Sequence, residues 1–231
     1  MELLNSLVGQ INDILWSYVL IILLIGAGII FTIRTKFVQI RFIKEMIRLI
    51  AGDAGNKMEG QQISSFQAFC VSTASRVGVG NIAGIAIAVV LGGPGAIFWM
   101  WIIAILGSAT GFVESTLAQI YKVPRTDSNG YLGGPAYYIN NALHSPKTAV
   151  FFAILISLTY GLIFNSVQSN TISLSLQTAF NFDATMIGIV IAVFSGIVVF
   201  GGLHRIAKVT EYMVPIMAGI YLLIAFAITI Y

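Results

Sequence analysis

The stretch Ser64–Leu91, SSFQAFCVSTASRVGVGNIAGIAIAVVL, is long enough to cross a bilayer, yet Ser75-Arg76-Val77-Gly78-Val79-Gly80-Asn81 interrupts it near the middle. About 20 apolar residues span the ~30 Å hydrocarbon core as one helix. Glycines flanking a charged and an amide side chain at that depth argue for two half-helices instead. Non-helical backbone survives inside a membrane only where protein buries it or it lines a cavity. Secondary transporters build midplane binding sites in this way, using helix ends and freed peptide groups as ligands.

The rest of the chain agrees with a membrane setting. Of its 231 residues 58% are hydrophobic and 9% charged, with a mean hydropathy of +0.92, against about 25% charged residues in soluble domains. The chain is therefore expected to be an all-α integral membrane protein. Its first residues lack the basic region of a signal peptide, and the first apolar run ends in Arg34-Thr35-Lys36 rather than at a small-residue cleavage site, so that run is expected to remain as a helix. Cys70 is the single cysteine; it has no disulfide or zinc partner and reads as a small packing residue.

The net charge of +3 does not point to nucleic acid, because the basic residues sit beside apolar spans. Six spans are expected, at about 15 to 33, 64 to 91, 96 to 121, 149 to 180, 184 to 201 and 213 to 231. Arg34, Lys36, Arg41, Lys44, Arg48 and Lys57 then fall in the first loop, Lys122, Arg125 and Lys147 in the third, and Arg205 and Lys208 in the fifth. Gly92-Gly93-Pro94-Gly95, Asn181-Phe182-Asp183 and the N-terminal segment hold no Lys or Arg. Cytoplasmic loops carry the Lys/Arg excess, so the N-terminus is expected outside and the chain multi-pass in the cytoplasmic membrane.

Residues Phe37 to Ile50 place apolar groups at helical spacing opposite Arg41, Lys44, Glu45 and Arg48. This predicts an amphipathic helix on the inner leaflet, an anchor in membrane lipid or a lipid sensor. Gly52-Asp53-Ala54-Gly55-Asn56 follows as a turn-rich linker. The loop from Lys122 to Lys147 holds Pro124 and the turn Asp127-Ser128-Asn129-Gly130. Pro135 then opens a predicted short helix with Tyr137 and Tyr138, an interface anchor or part of an inner gate.

At the break, carbonyls ending the first half-helix suit a cation such as sodium, making Ala74, Ser75 and Asn81 ion-binding candidates. Unpaired N–H groups opening the second half suit a carboxylate. The competing reading, that Gly78, Gly80, Ala83 and Gly84 merely let helices pack closely, does not explain Arg76 or Asn81. A phosphate-binding glycine loop needs a preceding strand and is set aside. Ionisable residues in spans are costly and so are paired or functional; Glu114 in the third span is the expected partner of Arg76. In the fourth span Asn165, Gln168 and Thr171 or Ile172 share a helical face, lining a cavity or bonding a neighbouring helix. His204 reads as solvated in a basic loop. No nucleophile–base set, carboxylate pair or metal-ligand cluster is present in the sequence, so an enzyme is not expected.

Ala74 to Gly84, Leu91 to Trp101, Glu114-Ser115-Thr116-Leu117-Ala118-Gln119, Gly133 to Ile139 and Gln168-Ser169-Asn170-Thr171-Ile172 together resemble the alanine or glycine:cation symporter family, along the whole chain. That resemblance implies sodium-coupled uptake of alanine or glycine, with Na+ as coupling ion and no cofactor. It implies a leucine-transporter-type fold of two inverted five-helix repeats. Residues 1–63 would be an additional helix and the amphipathic helix, and 64–231 the first repeat. Gly78, Val79, Gly80 and Asn81 would meet the substrate, and Gln168 would line the same pocket. The family usually has threonine where this chain has Val79, which removes a hydroxyl from the expected site. Family members run to about twice this length, so the resemblance implies a second repeat in cis or in trans. A truncated, non-transporting membrane module and a self-assembled pore are the competing readings.

Overall fold

The computed structural model describes residues 2–52, 63–126 and 130–230. The expected linker at 52–56, Lys57 and the turn at 127–130 therefore lie largely or wholly outside the described residues. The protein is almost wholly helical and forms two compact units, Met1–Lys44 with Val89–Ala153, and Glu45–Ala88 with Ile154–Tyr231.

In the first unit α1 (Glu2–Ile14) runs through a π-helical turn, Leu15–Val19, into α2 (Leu20–Arg34). The expected span at 15–33 thus begins much earlier, with Asn5–Arg34 forming one apolar run of 30 residues. Lys36 and Phe37 then turn the chain with φ of 54° and 55°. They lead into α3 (Val38–Arg41), and after Phe42 comes α4 (Ile43–Gly52). The single amphipathic helix expected at 37–50 is in fact these two pieces. No glycine marks that left-handed turn, and a bulky residue there is uncommon, so the sequence carries no signal for it.

The second unit is built on a broken helix, α5 (Ser65–Arg76) and α6 (Ala83–Gly92), whose last residues run into the first unit. The glycine-rich corner at Gly93, with φ 67°, then starts α7 (Gly95–Ile120), about 39 Å long at 1.5 Å per residue. α7 packs on α2 and α3. A Cβ at Gly28 would lie 2.8 Å from that of Leu106, so this crossing is as close as a missing side chain permits. A hairpin of β1 (Val123–Pro124) and β2 (Tyr131–Leu132), unforeseen in the sequence, precedes α8 (Pro135–Leu143), which packs back on α7. The proline start expected for that helix is present, behind Gly134 at φ 113°.

The chain continues through α9 (Pro146–Leu158), a π-helical turn at Thr159–Phe164, and α10 (Asn165–Phe180). Asp183 caps α11 (Ala184–Val199), its carboxylate accepting from the Met186 N–H at 2.8 Å. α12 (Gly202–Ile230) closes the chain. In the second unit α5 packs along α12, α12 against α11, and α11 against α10.

Two expected segments differ in extent from the helices found. Among the described residues four helices are long and apolar enough to cross a membrane, or five counting the bent pair as one span. The expected fifth span, at 184–201, is α11, whose 16 residues reach only about 24 Å. The expected basic loop at 202–212 is helical, because α12 begins at Gly202 and carries His204, Arg205 and Lys208 in its opening turns. A 29-residue helix is about 44 Å long and exceeds the hydrocarbon core, leaving room for charge at its end.

Candidate functional site

The break falls where the sequence puts it. α5 ends at Arg76, Val79–Asn81 make one 3-10 turn, and the two halves of the span meet at 74°. The donors there are diverted. In an unbroken helix the Gly78 N–H would bond to the Ala74 carbonyl, and the Val79 N–H to that of Ser75. Instead the Gly78 N–H donates to Asn81 Oδ1 at 3.0 Å, and the Val79 N–H donates to Gln168 Oε1 at 3.0 Å. Two side-chain amides thereby deprive the last carbonyls of α5 of their helical donors. Asn81 is tied in a second way, its own N–H bonding to the Gly78 carbonyl at 3.0 Å.

The glycines of the break do different jobs. Gly78 is extended, at φ −138°, a conformation open to any residue, but a Cβ there would overlap the Gln168 side-chain amide. Its smallness admits Gln168. Gly80 has no neighbour within 4 Å of where its Cβ would be, so there the backbone is open to approach. Ala74, Ser75, Arg76 and Asn81 are exposed, with Gly78, Val79 and Gln168 half-buried. Ser75 Oγ donates to the Ser72 carbonyl at 2.9 Å, leaving its lone pairs outward.

Of the polar face expected on α10, Gln168 alone reaches the break. Asn165 and Thr171 bond back to the carbonyls of Gly161 and Val167 in their own helix. Together with Ser169, Ser173, Thr185 and Ser195, Asn165 and Gln168 line a groove of about 910 Å³ between α10 and α11. Arg76 and Glu114 belong to different units, and both are exposed. Within its own unit Glu114 acts on Tyr138: burial, and then the Glu114 charge, raise the Tyr138 hydroxyl above the usual tyrosine range.

The sequence reading missed what holds the start of α5. Ser64 and Gln67 form a reciprocal cap, with Gln67 N–H to Ser64 Oγ at 3.1 Å and Ser64 N–H to Gln67 Oε1 at 3.2 Å. Gln67 Nε2 donates to Glu211 Oε2 on α12 at 2.9 Å. The Ser-x-x-Gln spacing is a capping signature and was there to be found; Glu211 was hidden by the reading of its segment as a loop.

Long apolar helices, one of them broken at polar backbone that a neighbouring amide clamps, define a multi-pass membrane protein. The chain belongs to the sodium:alanine symporter family, whose model matches residues 1–231, in agreement with the resemblance carried by the motifs. The family is one of transporters and not of enzymes. Over 225 residues it is 53% identical to the probable sodium/glutamine symporter GlnT of Bacillus subtilis, covering 97% of this chain and 46% of that protein. Identity to the amino-acid carrier protein AlsT of the same organism is 49%, covering 98% and 47%. With the sodium/alanine symporter AgcS of Methanococcus maripaludis it is 38%, covering 94% and 49%. The chain spans about half the length of these relatives.

Proposed function

We propose that this chain supplies the first half of a sodium-coupled symporter for a small neutral amino acid, alanine or glycine, in the cytoplasmic membrane. The observation that carries this reading is the diversion of the Gly78 and Val79 donors to Asn81 and Gln168. It leaves the Ala74 and Ser75 carbonyls at the negative end of α5 for Na+, while the positive end of α6 and the open backbone at Gly80 suit a carboxylate. An amino acid and its coupling ion carry the matching charges. The relatives' names, sodium with glutamine and sodium with alanine, support the ion and the substrate class.

In this reading residues 1–63 are additional to the transport core and 64–231 form the first five-helix repeat of a leucine-transporter-type fold. The second repeat is supplied in cis or in trans, since alternating access needs one repeat to move against the other. Val79 replaces a hydroxyl with an apolar branch beside the substrate, so Val79→Thr is expected to shift the Na+ or substrate half-saturation while leaving insertion intact. Arg76 and Glu114 are the proposed gating or charge-pair residues. Charge-removing changes at the two are expected to be non-additive in uptake; additive losses would remove the pair from the mechanism.

The test is uptake of labelled alanine and glycine into vesicles, with and without a sodium gradient. The chain is compared with itself co-expressed with a matching second half, both shown to be inserted. Uptake only with the partner and only with sodium supports the proposal. Uptake by the chain alone refutes the need for a second repeat, and silence in both favours a non-transporting module.

A further inference from the structure

We infer that Glu211 is a positioning residue for the break: through Gln67 it fixes the α5 half-helix, whose far end presents the Ala74 and Ser75 carbonyls. Glu211 is half-buried, where a carboxylate needs a partner. Glu211 has a lysine, Lys208, one turn earlier on its own helix, yet the ion pair among the described residues is Arg48–Glu45, and the described partner of Glu211 is the neutral amide of Gln67 on α5.

Both polar atoms of that amide are engaged, its oxygen accepting from the Ser64 N–H and its nitrogen donating to Glu211. Its orientation is therefore fixed by the network rather than free to flip. Ala207, Glu211 and Val214 lie on one stripe of α12, and Gln67 and Cys70 on one stripe of α5. Cys70 on α5 and Ala207 on α12 are both fully buried, so small side chains occupy buried positions on two helices that pack along each other. The polar bond at the edge of this joint sets where α5 begins. At the other end the Val79 N–H rests on Gln168. A glutamine thus ties each end of the α5 segment to a neighbouring helix, Gln67 to α12 and Gln168 of α10 to the Val79 N–H, and loss of the first loosens the packing of α5 along α12 at its start. Pro215 offers no N–H to the Glu211 carbonyl, so α12 is also weakest where it carries this carboxylate. The role in transport rests on the function proposed above; the clasp itself does not.

Buried Cys70, the single cysteine, reports on the joint. In proteoliposomes holding the 231-residue chain, Cys70 is expected to react slowly with N-ethylmaleimide. Glu211→Ala and Gln67→Ala are each expected to speed the reaction about tenfold, as loss of a hydrogen bond to a charged group opens the joint. The double variant should be no faster than Gln67→Ala alone. Glu211→Gln keeps an accepting oxygen and should stay within about twofold of the unaltered chain, which also shows that position 211 tolerates change without unfolding. Unaltered rates in both alanine variants, or multiplying effects in the double, would overturn the clasp. With the second half present, Glu211→Ala should raise the Na+ half-saturation more than it lowers the maximal rate, whereas a fall in maximal rate alone would overturn the positioning role. Absence of uptake by the unaltered pair, with labelling as expected, sinks the transport reading and leaves the clasp standing.

Discussion

Gly78 and Gln168 are a matched pair: the missing side chain of one makes room for the amide of the other, and that amide takes the Val79 N–H. Gly78→Ala should force the two apart and cost about 1 to 3 kcal/mol, the usual range for overpacking. Gln168→Ala removes the obstacle but leaves the N–H without its partner. The double variant should therefore lose less than the sum of the singles, as read from denaturant unfolding in detergent. The sequence made Gly78, Asn81 and Gln168 visible one by one, because polar and glycine positions stand out in an apolar span. It did not show that Asn81 and Gln168 act by taking donors from α5, since a hydrogen bond between residues 79 and 168 depends on which helices are neighbours. Tyr138 gives a second test at this scale. Its proton is held more tightly in the folded state, so stability is whole below the ordinary tyrosine pKa near 10 and falls as pH rises beyond it. Glu114→Gln should lessen that alkaline loss, leaving the part due to burial, measured as unfolding midpoint against pH.

Among the elements, α5 owes its start to Ser64, which is 2% exposed, and to the reciprocal bonds with Gln67. Ser64→Ala should cost about 1 kcal/mol and, by loosening Gln67, should also raise Cys70 reactivity. Ser64→Asp restores an accepting oxygen but buries a charge near Glu211, so it should fail to rescue. Breaks were legible in unequal measure. The α5–α6 break was plain because two glycines and an arginine interrupt an apolar run. The α2–α3 turn was not, because Lys36 and Phe37 turn with positive φ despite side chains that disfavour it. The π-helical turn at Thr159–Phe164 was equally silent; it leaves no compositional trace, although it sits where the apolar α9 gives way to the polar face of α10. The early start of α12 was missed for the opposite reason, a cluster of charges taken as loop although a long helix can carry them past the membrane edge.

For the molecule as a whole, the number of crossings turns on α11. Its 16 residues fall about 6 Å short of a 30 Å core, which by length alone favours a helix that stays on one side. Composition favours crossing. Ala184–Val199 has no charged side chain, while a helix lying in the interface needs a strongly polar face. Bilayer thinning absorbs a shortfall of this size at fractions of a kcal/mol per Å. The charges agree: Arg205 and Lys208 follow α11 while Asn181-Phe182-Asp183 precedes it without a cation, as the positive-inside rule demands if the chain passes from outside to inside there. Phe182→Cys and Leu203→Cys, both at exposed positions, in a Cys70→Ser background, separate the two cases. A membrane-impermeant maleimide added to right-side-out vesicles should label position 182 and reach position 203 only after the vesicles are opened. Equal labelling of both from outside would mean that α11 does not cross; the basic start of α12 would then lie outside, and the orientation read from the loops would fail with it.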